Sequence, residues 1–278
     1  MIFDGSSIES VYKSLSIILN VDRNVIENYI SNNEYRITVD GISRSYDNIE
    51  IDSFFEYLYG RGISDNELSK MLKIEKVTLF HLTSTTNKES FIRDGIMNLK
   101  TIFETSNGIK KYLIRYDIEL KKVNSEYKIF YRGKEIDYSK HKMLKRRLSW
   151  DECINGFLFK DRIESNTNVE HLKYGPEFVQ NIFEIIGNYR YTNNWYKDND
   201  LYIIRSIVDL DDIDDSTFDL DIKDKVNKYK LVILKGLEFI LFHKTNYWEL
   251  DSNTIIFMKN YINIDSSRII EISEVNNG

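Results

Sequence analysis

Two side chains suited to holding a polar ligand, His81 and Thr83, stand two residues apart in V-T-L-F-H-L-T-S-T-T-N-K-E-S-F-I-R-D-G-I, residues 77 to 96. An extended segment sends alternate side chains to one face, so an imidazole and a hydroxyl leave this predicted strand together. The imidazole can accept or donate near neutral pH and the hydroxyl does both; a lone histidine at a strand end is more often a satisfied core or surface residue. A third group is Glu177, next to Pro176, the chain's single proline. Proline suits the first turn of a helix, predicted here over Phe178 to Ile186, and a carboxylate there is stabilised by the helix dipole. A fourth feature is K-H-K-M-L-K-R-R, Lys140 to Arg147, in which Lys145, Arg146 and Arg147 can grip phosphates or form a solvated helix face.

Other sites are excluded or weakened by what the chain lacks. Cys153 is the only cysteine, so no intramolecular disulfide and no multi-cysteine metal site can form. The acidic D-D-I-D-D-S loop, Asp211 to Ser216, offers hard oxygen ligands but not the glycine and terminal glutamate of an EF-hand, and reads as a solvated loop. No metal is expected.

Positioning these groups requires an α+β chain. Residues 1–75 read as a mostly helical appendage: Ser6 and Ser7 precede a helix with Ile8, Val11, Tyr12, Leu15, Ile18 and Leu19 on one face, and a second helix runs from Arg23 to Ile30. The two resemble a helix-turn-helix, a pairing common in helical appendages. A hairpin around Asp40-Gly41, a helix over Ile51–Tyr59 and a capping box at Ser64 and Glu67 follow. Residues 76–278 begin with the strand carrying His81, then a polar turn over Ser84 to Asn87 and a helix capped by Thr86 or Asn87 and stopped by Gly95. Alternation across 110–120 and 126–138 predicts strands or a hairpin. Ile154–Phe159 and Asn199–Leu210 are further strands, Lys223 to Phe242 has a helical period, and two short strands close the chain around Asp265 to Ser267. His243 and Trp248 flank the end of that long helix and close its core.

The H-x-T-x-x-x-N run from His81 to Asn87, followed by F-I-R-D-G-I, resembles the first conserved block of ADP-ribosyltransferases of the diphtheria-toxin and poly-ADP-ribose-polymerase branch, bacterial DNA- and RNA-modifying toxins included. The resemblance covers residues 77 to 273 and implies a split mixed or antiparallel sheet with NAD as the substrate. It assigns His81 to the NAD ribose and Thr83 to the nicotinamide side. A tyrosine stacked on nicotinamide is also implied; Tyr112 and Tyr116 are the leading candidates, with Tyr131 and Tyr138 behind them. Glu177 would be the carboxylate that binds the ribose 2′-hydroxyl and stabilises the oxocarbenium-like centre as nicotinamide leaves. It departs from the family pattern by opening a helix where the family glutamate opens a strand; Glu164 is the second choice. A target nucleophile on a protein or nucleic acid then captures the ribosyl carbon. A non-catalytic binding module of the same fold and an NAD glycohydrolase are the alternatives.

Composition is compatible with this outline. With 278 residues, 42% hydrophobic and 13% aromatic, the chain can bury a real core. Its net charge of −6 argues against a whole surface given to nucleic acid but leaves room for a local patch. No apolar run is long enough to cross a bilayer and the N-terminus lacks signal-peptide character, so a cytoplasmic protein is expected. Alanine is absent while Ile, Asn, Lys and Asp abound; such usage points to an AT-rich bacterial or phage genome and, with the resemblance, to a toxin or phage-defence setting.

Overall fold

The computed structural model describes residues 1–40, 43–149, 153–218, 225–247 and 252–275, and its chain is α+β. In chain order, β1 (Ile2–Phe3) leads to α1 (Ile8–Leu19), which starts at Ser7, whose side chain accepts from the Ser10 amide, and stops at Asn20 in the left-handed conformation. The predicted stripe of α1 is buried at Val11, Tyr12, Leu15, Ile18 and Leu19. Next come α2 (Arg23–Asn32), the hairpin β2 (Ile37–Asp40) and β3 (Ser43–Tyr46), α3 (Ile51–Tyr59) and α4 (Asp65–Met71), whose Ser64/Glu67 capping box is complete. Gly41, expected in the hairpin turn, lies outside the described residues, as does Trp248.

Strand β4 (Lys76–Thr85) is followed by α5 (Glu89–Asp94), α6 (Leu99–Glu104) and α7 (Gly108–Ile114). Then β5 (Ile118–Val123), β6 (Glu126–Tyr131) and β7 (Lys134–Glu135) form an antiparallel three-stranded sheet, and α8 (Lys142–Ser149) carries the basic run. The remaining elements are β8 (Asn155–Phe157), α9 (Glu177–Ile185), α10 (Arg190–Asp198), β9 (Asp200–Asp209), α11 (Lys225–Lys244), β10 (Ile255–Phe257) and β11 (Ile269–Glu274). The six-stranded sheet runs β10-β8-β4-β9-β11; β1 adds in parallel to β4, and β11 pairs antiparallel with β9.

By compactness the chain divides into two units. Unit 1 holds Met1–Leu79, Phe157–Ile163 and Ile207–Ile256; unit 2 holds Phe80–Gly156, Glu164–Ser206 and Phe257–Gly278. Residues 1–75 thus lie in unit 1 together with two later segments. Its core joins Phe3, Leu15, Phe54 and Phe55 to α11 residues such as Val232, Ile233 and Leu237. At Gly236 an added Cβ would sit 3.0 Å from the Phe3 ring. Unit 2 has a separate core of Phe103, Tyr112, Ile118, Ile129, Leu144, Leu148, Phe178, Ile182, Phe183 and Trp195.

Three local expectations differ from the structure. The strand does not turn at Ser84: β4 continues through it, because its hydroxyl is satisfied in place, donating to the Leu172 carbonyl (2.7 Å) and accepting from Trp195 Nε1 (2.8 Å). Neither Thr86 nor Asn87 caps α5; Lys88 occupies the cap with no side-chain bond. Most of the stretch 110–116, read by alternation as a strand, belongs to α7, for which Asn107 caps the Lys110 amide. Ile109, Tyr112, Leu113 and Tyr116 recur there at helical spacing and pack on the unit 2 core.

Candidate functional site

Within unit 2 His81 and Thr83 border one cavity of about 320 Å³, near the lower end of the roughly 300–1,000 Å³ usual for small-molecule sites. His81 is held by β8: its Nδ1 lies 2.6 Å from the Asn155 carbonyl oxygen. A carbonyl only accepts, so Nδ1–H donates and Nε2 keeps its lone pair as an acceptor. Burial lowers the His81 pKa below the ordinary 6.5, against the smaller opposing effect of the Asn155 bond. The ring is therefore neutral at neutral pH.

That shift has a sign. An unfolded chain takes up the His81 proton at higher pH than the folded one, so this contribution to stability is complete above pH 6.5 and is lost as pH falls below it. His171 and His243 are lowered by burial as well and add to the same slope. His81→Asn is expected to lose less stability than the parent between about pH 7 and pH 5. Denaturant midpoints at the two pH values check this, and equal losses in both proteins would refute it.

Hydroxyls and amides from Thr83, Ser90, Asn87, Asn107 and Asn199 border the cavity, as do the rings of Phe91, Tyr112 and Trp195. Its cations are Arg93, Lys111 and Arg115, and its one carboxylate among the described residues is Asp94. Arg93 Nε donates to Asp94 at 2.7 Å and holds that carboxyl below its usual pKa. Arg115 lies 3.8 Å from Asp198, whereas Lys111 has no carboxylate partner among the described residues. The wall is thus polar, cationic and ring-bearing, the mixture a nucleotide's sugar, phosphate and base each require.

The tyrosines separate. Tyr112 borders the cavity, 4% exposed, edge-on to Trp195 with centroids 4.6 Å apart; burial and the neighbouring Tyr116 raise its pKa. Tyr116 is not on the wall. Its hydroxyl is 3.2 Å from that of Tyr112 and accepts from Asn194, so it steadies Tyr112 from behind. Tyr131 belongs to β6, and Tyr138 donates its hydroxyl to the Tyr127 carbonyl.

Glu177 is not among the residues bordering the cavity. It stands in the first turn of α9, where Arg147 Nη2 of α8 donates to Glu177 Oε2 at 2.6 Å. Leu144 and Leu148 on α8 and Phe178, Val179 and Ile182 on α9 share the unit 2 core, and that packing brings the guanidinium to the carboxylate. The field of this pair reaches His171, which Glu177 raises and Arg147 lowers while burial dominates. Glu164, exposed in a short 3-10 turn, is off the wall too. Of the basic run, Lys145 is exposed beside another groove, Arg146 is half-buried and Arg147 is committed to Glu177. The structure therefore brings together His81, Thr83 and Tyr112, and leaves Glu177 with Arg147.

Sequence reasoning missed Trp195, Lys111, Arg115 and Asn199 on the wall. Lys111 and Arg115 flank Tyr112 and were visible only had the segment been read as a helix; Trp195 and Asn199 give no local signal. No family model matches the chain, and no curated protein or solved structure is significantly similar to it. Among the described residues no group of three or more His, Cys, Asp or Glu is arranged to hold a metal ion, and no helix is long and apolar enough to cross a membrane.

Proposed function

We propose that the protein is an NAD-dependent enzyme of the ADP-ribosyltransferase-like kind, built on a split sheet, that takes the nicotinamide-ribose end of NAD into the cavity around His81. The observation supporting this reading is that His81 and Thr83, assigned by the resemblance, and Tyr112, one of the tyrosines it left open, border one cavity. His81 Nε2 accepts from a ribose hydroxyl, Thr83 bonds the carboxamide side, and Tyr112 meets the ring. About 320 Å³ suits a nucleoside rather than the whole dinucleotide, and Lys111 and Arg93 on the wall are the cations this reading assigns to the pyrophosphate. Loss of nicotinamide puts positive charge on the ribosyl carbon, which a nearby carboxylate must balance. The carbon is then captured by a protein or nucleic-acid nucleophile, in a toxin or phage-defence setting.

The position of Glu177 favours a second reading, a non-catalytic NAD-binding module of the same kind, because this carboxylate is off the wall and matched by Arg147. Labelled NAD incubated with the full chain and a bacterial lysate separates the readings. Label on macromolecules supports transfer, free ADP-ribose supports hydrolysis, and bound but unchanged NAD supports the binding module. If activity is lost in Asp94→Asn but not in Glu177→Gln, the working carboxylate is the one on the wall. His81→Ala is expected to weaken NAD about tenfold, the worth of one good hydrogen bond in a buried site. No NAD binding by calorimetry would overturn both readings.

A further inference from the structure

Residues 100–149 carry fourteen Lys and Arg against six Asp and Glu, a surplus of eight in a chain whose net charge is −6. Such segregation of charge marks a surface for an anionic partner. These residues form α6, α7, the three-stranded sheet and α8, all within unit 2. Among them lies an open groove of about 820 Å³ bordered by Lys100, Lys122, Lys128 and Lys145. Glu126, Glu135 and Asp137 border it too: Lys128 lies 3.7 Å from Glu126 and 3.3 Å from Glu135, and Asp137 accepts from the Ser139 amide at 2.8 Å. Lys122 is taken by Glu104 at 3.0 Å. Lys100 and Lys145 remain on the groove's border, exposed and in no ion pair among the described residues; Lys140 and Lys142, beside the groove's Ser139, are likewise exposed and in no ion pair, although the charge of Lys100 reaches Glu104 and that of Lys140 reaches Asp137.

We propose that this groove, with the start of α8 beside it, binds the phosphodiester backbone of a single-stranded nucleic acid, independently of its base sequence. Four exposed ammonium groups outside any ion pair, two on the groove and two beside it, are what a chain of phosphates neutralises on binding. The rings of the groove are spent elsewhere, Tyr127 being buried and Tyr138 bonded to the Tyr127 carbonyl, so contact is by charge rather than by base stacking. A protein partner is disfavoured because interfaces rest on apolar or aromatic anchors, and the groove presents no exposed large hydrophobic side chain. The proposal stands apart from the reading of the cavity, since binding here needs no NAD.

The test is fluorescence anisotropy of a labelled oligothymidine titrated with the full chain, without NAD, at 50 and 200 mM salt. Four contacts give a logarithmic salt slope of about −2.8, hence about 50-fold weaker binding over that range. The variant Lys100→Gln with Lys145→Gln should halve the slope to about −1.4 and the loss to about sevenfold, while arginine at both positions restores the parent slope. Both lysines are exposed, so their replacement leaves the core untouched. No binding at 50 mM salt, an unchanged slope in the double glutamine variant, or equal competition by polyglutamate would each overturn the proposal.

Discussion

Gly95→Ala is expected to destabilise the protein by roughly 4 kcal/mol. Two costs combine there. With φ +75° and ψ −163°, Gly95 occupies backbone territory essentially closed to other residues, worth about 1–3 kcal/mol. An added Cβ would also stand 2.1 Å from the Ile264 carbonyl oxygen and 2.9 Å from the Ser266 amide nitrogen, both backbone atoms that cannot rotate away. Forcing them apart costs about 1–3 kcal/mol more and strains the reciprocal Ile96–Ile264 bonds at 2.8 and 2.9 Å. Gly133 is the control in the same unit: its φ is +74° but nothing lies within 4 Å of the added carbon, so alanine there costs only about 1 kcal/mol. Urea unfolding measures both, and equal losses would show that close approach at Gly95 is not what demands glycine. Because Gly95 also borders the cavity, the proposed function adds that its replacement weakens NAD binding along with stability.

Trp195→Ala should cost about 3–5 kcal/mol, the usual penalty for removing a fully packed indole. Trp195 is 2% exposed, lies against Tyr112 and Gly175, and donates Nε1–H to Ser84 Oγ at 2.8 Å. Its loss leaves a void beside the cavity and withdraws one of the two bonds that hold the Ser84 hydroxyl near the end of β4. Trp195→Phe retains most of the packing and drops only the donor. Ser84 still donates to the Leu172 carbonyl, so the phenylalanine variant should lose about 1 kcal/mol. Denaturant unfolding of the pair separates packing from hydrogen bonding. A loss below about 1 kcal/mol in the alanine variant would contradict the central place given to Trp195 in unit 2.

Elements with a local cause were legible residue by residue. Ser7 caps α1 and Ser64 with Glu67 forms the capping box of α4, since cap chemistry acts over three or four positions. Pro176 opens α9 where its fixed torsion places it. The long strand carrying His81 and Thr83 and the strand over 200–209 follow from alternation. The segment 108–114 misled because a strand pattern and a helix stripe overlap in it, and its burial against Phe183 and Trp195 decides for the helix.

By itself the sequence determined the α+β character, the starts of α1, α3, α4 and α9, and the strand from which His81 and Thr83 project together, because each depends on the types and spacing of a few neighbours. Only the tertiary structure decided that Tyr112 joins those two residues at one cavity, and that Lys111 and Trp195 complete the wall. It likewise turned Glu177 toward Arg147. Those meetings depend on how α7, α8, α9 and α10 bury their apolar faces in one core. No short-range pattern encodes which charged side chain such packing leaves facing which.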